Sequence, residues 1–161
     1  MQSDLHRNEP VRRLATSESL PPAGISEPPK TVLVVDDDPM VRDVATQVLR
    51  VQGYKVLAAE GAEQALRLAG ETATIHLLIT DLSVPEIDGL ELTRRFLSVH
   101  PNTPVLMVSG SLPLLHARGE QAPDHFDFLP KPFLFNELLQ KVRTLLDDTA
   151  PLPIRKLWHC D

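Results

Sequence analysis

The chain has 161 residues, of which 42% are apolar and 24% charged, so it can form one globular domain of roughly 100–150 residues with additional segments. The formal charge of −6 argues against a nucleic-acid-binding surface, and the single cysteine excludes an intrachain disulfide. No apolar run approaches the roughly 18 residues that a membrane span needs, and the N-terminus lacks a signal peptide's apolar core. We therefore expect a cytoplasmic protein that binds neither nucleic acid nor membrane.

The two ends of the chain are predicted to be tails. Residues 1–30 contain five of the 15 prolines and few large apolar side chains. Such a segment cannot bury enough surface to offset the entropy lost on ordering, so we predict that it is disordered. Residues 148–161 have a similar composition. The folded domain is therefore predicted to span residues 31–147.

Five short apolar runs between these tails predict five β-strands. Nearly continuous apolar runs are typical of strands buried on both faces of a parallel sheet. The second run is more mixed, which suits a less covered position in the sheet. In chain order, the predicted strands are Thr31–Val35, Tyr54–Ala59, Ile75–Thr80, Val105–Ser109 and Phe126–Leu129.

Helical patterns separate the strands. Apolar residues from Val41 to Leu49 follow the spacing of one helix face, and Asp38 with Pro39 is a favourable start for that helix. Asp88 is a predicted N-cap of the third helix. Prolines and a glycine between residues 111 and 124 leave the fourth helix only about two turns. The other helices are predicted at about 62–69, 89–98 and 135–146.

The alternation of strands and helices predicts an α/β fold. Five β-α units in succession require a doubly wound parallel sheet with right-handed crossovers and helices on both faces. In such folds, ligands bind beyond the carboxyl ends of the strands, where the winding direction reverses.

Polar residues lie at these strand ends. Asp36 and Asp37 follow the first strand, Asp81 follows the third, Ser109 ends the fourth, and Lys131 follows the fifth. The sheet should bring them into one crevice. Three neighbouring carboxylates repel one another unless a cation lies among them, and Mg²⁺ is the ion that prefers oxygen ligands shared with a phosphoryl group.

This combination of residues predicts phosphoryl chemistry. One carboxylate can attack a phosphoryl donor and form an aspartyl phosphate. The transfer depends mainly on positioning and on neutralising the phosphoryl oxygens. Lys131 and the bound cation can supply positive charge, and the Ser109 hydroxyl can donate a hydrogen bond.

Four segments carry a resemblance to a known family. VLVVDDDPMVR, LLITDLSVPEIDGLEL, PVLMVSGS and DFLPKPF resemble, in order and spacing, the receiver domain of two-component response regulators. The resemblance covers about residues 31–147 and includes similarity to receivers attached to hybrid sensor kinases. It implies a flavodoxin-like fold with the strand order 2-1-3-4-5.

The resemblance also assigns site residues. Asp81 matches the phosphoacceptor. Asp36 and Asp37 match the acidic pair that holds Mg²⁺ together with Asp81, and the backbone carbonyl of Ser83 is implied as a further ligand.

The remaining assignments concern the response to phosphorylation. Lys131 matches the lysine that contacts the phosphoryl group, and Ser109 matches the family's hydroxyl position. Phe128 lies at the switch aromatic, whose ring is expected to move inward with Ser109. The bond before Pro132 is typically cis in the family.

The implied function is a phosphorylation-controlled switch in a phosphorelay. The implied partners are a histidine kinase or histidine phosphotransfer protein and a downstream protein that the sequence does not name. The 14 residues after residue 147 are too few for an effector domain, so we expect output through protein contacts and no separate substrate turnover.

Two alternatives remain open. A Mg²⁺-dependent phosphatase or phosphotransferase of the haloacid-dehalogenase type would use the Asp36–Asp38 spacing, although it would leave Asp81 unexplained. A pseudo-receiver would bind partners without phosphate, but the complete acidic set argues against it.

Overall fold

The computed structural model describes residues 27–110 and 126–147. The predicted fourth helix, between residues 111 and 124, lies outside these ranges, and so do most of the first tail and all of the second. The tail assignments and the 31–147 domain bounds therefore stay predictions.

Five parallel strands form one sheet. The strands are β1 (Thr31–Val35), β2 (Lys55–Ala59), β3 (Leu77–Asp81), β4 (Val105–Ser109) and β5 (Phe126–Pro130). Their order is β2-β1-β3-β4-β5, which confirms the predicted doubly wound topology. The winding direction reverses between β1 and β3, so the carboxyl ends of these two neighbours flank the predicted crevice.

Four helices are described, and they cover both faces of the sheet. They are α1 (Pro39–Val51), α2 (Ala62–Glu71), α3 (Gly89–Val99) and α4 (Phe135–Leu146). One buried cluster joins the sheet to α2 and α3 and includes Phe96. The other joins it to α1 and α4 and includes Leu49 and Leu138. No helix in the described part combines the length and apolarity needed to cross a bilayer.

The predicted bounds of the third strand were wrong by up to two residues. Ile75 and His76 precede the strand, whose pairing with β1 starts at Leu77 opposite Val32. The imidazole of His76 accepts a hydrogen bond from Thr31 N at 2.9 Å, so a side chain takes the place of a strand carbonyl there. At the other end, β3 extends to Asp81, which pairs with β4.

Side-chain caps fix the starts of α1 and α3. Asp38 accepts from Met40 N at 2.9 Å, and Asp88 accepts from Glu91 N at 2.9 Å. Both predicted N-caps are confirmed. The caps place the first turns of these helices immediately beyond the carboxyl ends of β1 and β3.

Candidate functional site

Three carboxylates meet at the carboxyl edge of the sheet. Asp36 and Asp37 follow β1, and Asp81 ends the adjacent β3. One carboxylate oxygen from each of the three lies within 4.8 Å of those of the other two. Asp36 is buried, Asp81 is partly buried and Asp37 is exposed. The structure therefore brings together the acids that the sequence analysis placed in one crevice.

Asp36 is held at all four of its polar atoms. Its N–H donates to the carbonyl of Ala59 at 3.2 Å, which continues the pairing of β1 with β2. Its carbonyl accepts from Arg42 Nη1 at 2.7 Å. Its carboxylate accepts from Asp38 N at 2.9 Å and from Lys131 Nζ at 3.0 Å. A buried carboxylate with this set of donors is preorganised and satisfied.

Asp81 is held through both carboxylate oxygens. Oδ1 accepts from Ser83 N at 3.0 Å, and Oδ2 accepts from Lys131 Nζ at 2.6 Å. The side chain is 12% exposed, so part of it remains open to solvent. Ser83 is an exposed residue of the loop that follows β3. Asp81 is therefore the acid that combines a fixed orientation with access from solvent.

Lys131 bridges two of the acids. Its ammonium contacts Asp36 and Asp81, and its main-chain N–H donates to the carbonyl of Ser109 at 2.9 Å. Burial, the largest single influence, lowers the pKa of Lys131, but the hydrogen bonds and charges of Asp81 and Asp36 outweigh it and leave the pKa above its usual value. Lys131 is therefore a cation at neutral pH. The peptide bond between Lys131 and Pro132 is cis, as the resemblance implied.

Ser109 and Phe128 lie on the neighbouring strands. Ser109 is buried at the end of β4, next to the strand that carries Asp81. Phe128 is partly buried on β5 and packs against the α2–α3 side of the core. Ser109 and Phe128 thus lie on the first and second strands beyond β3, the strand that carries Asp81. Their switch role stays a prediction.

Gly89 makes a close approach that the sequence analysis did not identify. A Cβ at this position would lie 2.3 Å from the carbonyl oxygen of Asp81 and 2.9 Å from Leu82 Cα. The Gly89 N–H donates to the carbonyl of Leu82 at 2.8 Å. The first turn of α3 therefore packs directly on the backbone of Asp81, and only glycine fits there without displacing that backbone.

The donor set fits a magnesium ion. Three carboxylates supply hard oxygen ligands, and the carbonyl of Ser83 lies on the loop beside them. Lys131 offsets one of the three negative charges, so the cluster retains a net attraction for a cation. Asp38 is not among these acids, because its carboxylate caps α1. That cap argues against the haloacid-dehalogenase reading of Asp36 and Asp38.

Fold and site together define the protein class. A parallel sheet of order 2-1-3-4-5 with an acidic crevice at its reversal point is a doubly wound, flavodoxin-like α/β domain. A family model described as the response regulator receiver domain matches residues 32–143. The chain belongs to this family of two-component signalling domains. Family members generally bind Mg²⁺ at an acidic pocket and interact with histidine kinases or phosphotransfer proteins.

Curated relatives show the same similarity. The chain is 34% identical over 118 residues to the sensor kinase CckA of Brucella abortus, a match that covers 73% of this chain and 12% of that protein. It is 33% identical over 123 residues to the response regulator MprA of Mycobacterium sp. (strain KMS), covering 76% of this chain and 53% of the relative. The chain thus spans at most about half the length of these relatives.

Solved structures agree with the fold. The receiver domain of the hybrid histidine kinase CckA superposes with a TM-score of 0.64 at 36% identity, covering 73% of this chain and 99% of that one. The chemotaxis protein CheY4 of Vibrio cholerae gives a TM-score of 0.67 at 27% identity, covering 73% and 99%. The similarity to a hybrid-kinase receiver agrees with the sequence-based resemblance.

Proposed function

We propose that this chain is a phosphorylation-controlled switch in which Asp81 accepts a phosphoryl group from a histidine kinase or a histidine phosphotransfer protein. The observation that carries the proposal is the position of the Asp81 carboxylate. It lies within the acidic cluster, 2.6 Å from the Lys131 ammonium, and remains partly open to solvent.

The metal site of the proposal consists of Asp36, Asp37, Asp81 and the backbone carbonyl of Ser83. Magnesium bound there supplies charge neutralisation for the incoming phosphoryl group. Asp36 is the most constrained of the three acids, and Asp37 is the most exposed. Asp36 therefore fixes the site, and Asp37 completes it from the solvent side.

The proposed reaction is a direct transfer. A carboxylate oxygen of Asp81 forms a new P–O bond while the P–N bond of the phosphohistidine breaks. The electron pair of that bond stays on the imidazole nitrogen, which takes up a proton from solvent to become neutral histidine. Lys131 remains protonated throughout and neutralises charge on the phosphoryl oxygens.

The proposed response uses Ser109 and Phe128. The Ser109 hydroxyl donates to a phosphoryl oxygen on Asp81, since β4 lies beside β3. Phe128 then changes its packing against the core, on which its partly buried ring lies. Output passes to a downstream protein through surface contacts. The phosphoryl group leaves by hydrolysis, so no separate substrate is turned over, and cytoplasmic location stays a prediction.

The test is phosphorylation by a small donor. The protein is incubated with Mg²⁺ and acetyl phosphate, and its intact mass is measured. We expect one added phosphoryl group, which Asp81→Asn and EDTA both abolish. Asp43→Asn is a matched control, because Asp43 is an exposed acid on α1 outside the cluster.

Other outcomes identify the alternatives. An adduct that survives Asp81→Asn and is lost in Asp36→Asn would support the haloacid-dehalogenase type of enzyme. A folded protein that forms no adduct with any of several donors would support the phosphate-independent pseudo-receiver.

A further inference from the structure

Arg42 contacts the acidic cluster from outside it. The residue lies in the first turns of α1 and is partly buried. Its Nη1 donates to the main-chain carbonyl of Asp36 at 2.7 Å. A charged donor to a carbonyl makes a stronger hydrogen bond than a neutral donor does. Among the described residues, Arg42 makes no hydrogen bond or ion pair with a carboxylate of the cluster, so its contact with the site is through the backbone.

The carbonyl that Arg42 contacts comes directly before Asp37 in the chain. The oxygen belongs to the peptide unit that joins Asp36 to Asp37, and that unit is planar. Fixing the oxygen fixes the rotation of the whole plane. The next plane is held by the Asp38 N–H, which donates to Asp36 Oδ1 at 2.9 Å, and the two planes together set the direction of the Asp37 side chain. Within the described residues, the Asp37 side chain makes no hydrogen bond or ion pair that could orient it.

We propose that Arg42 is a positioning residue of the metal site, which aims the Asp37 carboxylate by holding the peptide plane before it. The inference rests on the proposed function, because it assumes that the acidic cluster binds Mg²⁺. It adds a residue that neither ligates the ion nor contacts the phosphoryl group. Loss of a contact that orients a metal ligand without touching the ion typically changes metal affinity by roughly 10–100-fold.

The charge of Arg42 acts in the opposite direction. A guanidinium near a cation site repels the cation, so removing it tightens Mg²⁺ binding if charge is its only role. Salt separates the two effects, because the Debye length falls from about 8 Å at physiological ionic strength to about 3 Å at 1 M. At high salt the positioning effect of this partly exposed side chain remains, and the repulsion is screened.

Arg50 provides a matched control on the same helix. Its Nη2 donates to the main-chain carbonyl of Val56 at 3.3 Å, again six residues away. Val56 is the second residue of β2, near the amino end of the sheet and away from the acidic crevice. Arg50→Met therefore removes an arginine–carbonyl contact from α1 without disturbing the peptide plane before Asp37.

The experiment measures Mg²⁺ binding to the full chain by calorimetry in about 1 M KCl. We expect Arg42→Met to bind Mg²⁺ roughly tenfold more weakly than the wild type, whereas Arg50→Met stays within about twofold of it. Equal or tighter binding by Arg42→Met would overturn the inference. A wild type that binds no Mg²⁺ would instead overturn the proposed metal site, and the inference with it.

A second readout needs no metal. Hydrogen exchange of the Asp38 amide, which bonds to the Asp36 carboxylate, is expected to accelerate in Arg42→Met and not in Arg50→Met. If Arg42→Met does not fold, Arg42→Ala, which also removes the donor to the Asp36 carbonyl, takes its place in both measurements. Unchanged exchange of the Asp38 amide together with unchanged Mg²⁺ affinity would show that Arg42 does not position the metal site.

Discussion

The ammonium of Lys131 lies 2.6 Å from Asp81 Oδ2 and 3.0 Å from Asp36 Oδ2. One cation thus joins residues that are 50 and 95 positions away in the sequence. The contact requires β1, β3 and β5 to end at the same edge of the sheet, which is what the parallel topology provides. Lys131 therefore joins two of the three acids of the cluster, Asp36 and Asp81.

This arrangement predicts a specific pH dependence for the metal-free protein. The folded pKa of Lys131 is raised, so its stabilising contribution is fully present below the unfolded value of about 10.5 and is lost as the pH rises through the folded pKa. The difference in unfolding free energy between wild type and Lys131→Met should therefore stay constant from neutral pH to about pH 10 and fall above it. Urea unfolding of the two proteins at each pH measures this difference in unfolding free energy. A difference that already shrinks near pH 8 would contradict the account.

Substitution of Gly89 tests the close approach of α3 to Asp81. Gly89→Ala should lower the unfolding free energy by about 1–3 kcal/mol, the range for overpacking, because the new Cβ meets backbone atoms. The displaced Asp81 backbone should also slow phosphorylation by acetyl phosphate.

Gly70→Ala is the control for that substitution. Gly70 lies in α2, and a Cβ there meets nothing within 4 Å. Alanine should raise stability by up to about 1 kcal/mol and leave the phosphorylation rate unchanged. Equal effects of the two substitutions on the rate would refute a special role for Gly89.

Glu86 caps a helix to which it does not belong. Its Oε2 accepts from Glu63 N at 3.1 Å in the first turn of α2, whose own N-cap is Gly61 without a capping side chain. Glu86 also has a φ of 74°, which costs an L-residue about 1–2 kcal/mol.

The cap stabilises the folded protein and the positive φ destabilises it, and two substitutions can separate these contributions. Glu86→Ala loses the cap and keeps the backbone cost, so it should destabilise by about 0.5–2 kcal/mol. Glu86→Gly loses the cap and relieves the backbone, so it should be more stable than Glu86→Ala. Thermal unfolding of both variants checks the order, and a glycine variant less stable than the alanine variant would count against the strained conformation.

An ion pair between α4 and β5 stabilises the face of the sheet that α1 and α4 cover. Lys141 on α4 donates to both carboxylate oxygens of Asp127 on β5, at 2.9 and 2.8 Å, and Asp127 is 6% exposed. Lys141→Met removes the cationic partner of this carboxylate, to which the Phe128 N–H also donates at 2.7 Å. The substitution should cost about 3 kcal/mol, the lower end for buried pairs because Lys141 is partly exposed. Arg95→Met, which breaks an exposed pair with Glu91, should have a much smaller effect in the same urea assay.

Most of the sheet and the acidic cluster could be predicted because both depend on patterns along the chain. Buried parallel strands are apolar throughout, and residues at their carboxyl ends meet wherever the strands are parallel. The sequence therefore predicts that Asp36, Asp81 and Lys131 lie together.

The residues that sequence reasoning missed act through the main chain. Arg42 donates a hydrogen bond to a main-chain carbonyl, and Glu86 accepts one from a main-chain N–H. Gly89 has no side chain, which leaves room for a neighbouring main-chain carbonyl. No periodicity encodes which backbone atom a side chain will reach, because that depends on how the loops pack. The start of β3 was misplaced for a related reason, since the imidazole of His76 replaces a strand carbonyl.

The most direct test of the central claim is the location of the phosphoryl group. The Mg²⁺-loaded protein is treated with acetyl phosphate and then with borohydride, which reduces an aspartyl phosphate to homoserine, and its peptides are mapped by mass. The account predicts homoserine in place of Asp81 and at no other acid. Reduction at Asp36, or no reduction in a folded and Mg²⁺-saturated protein, would contradict it.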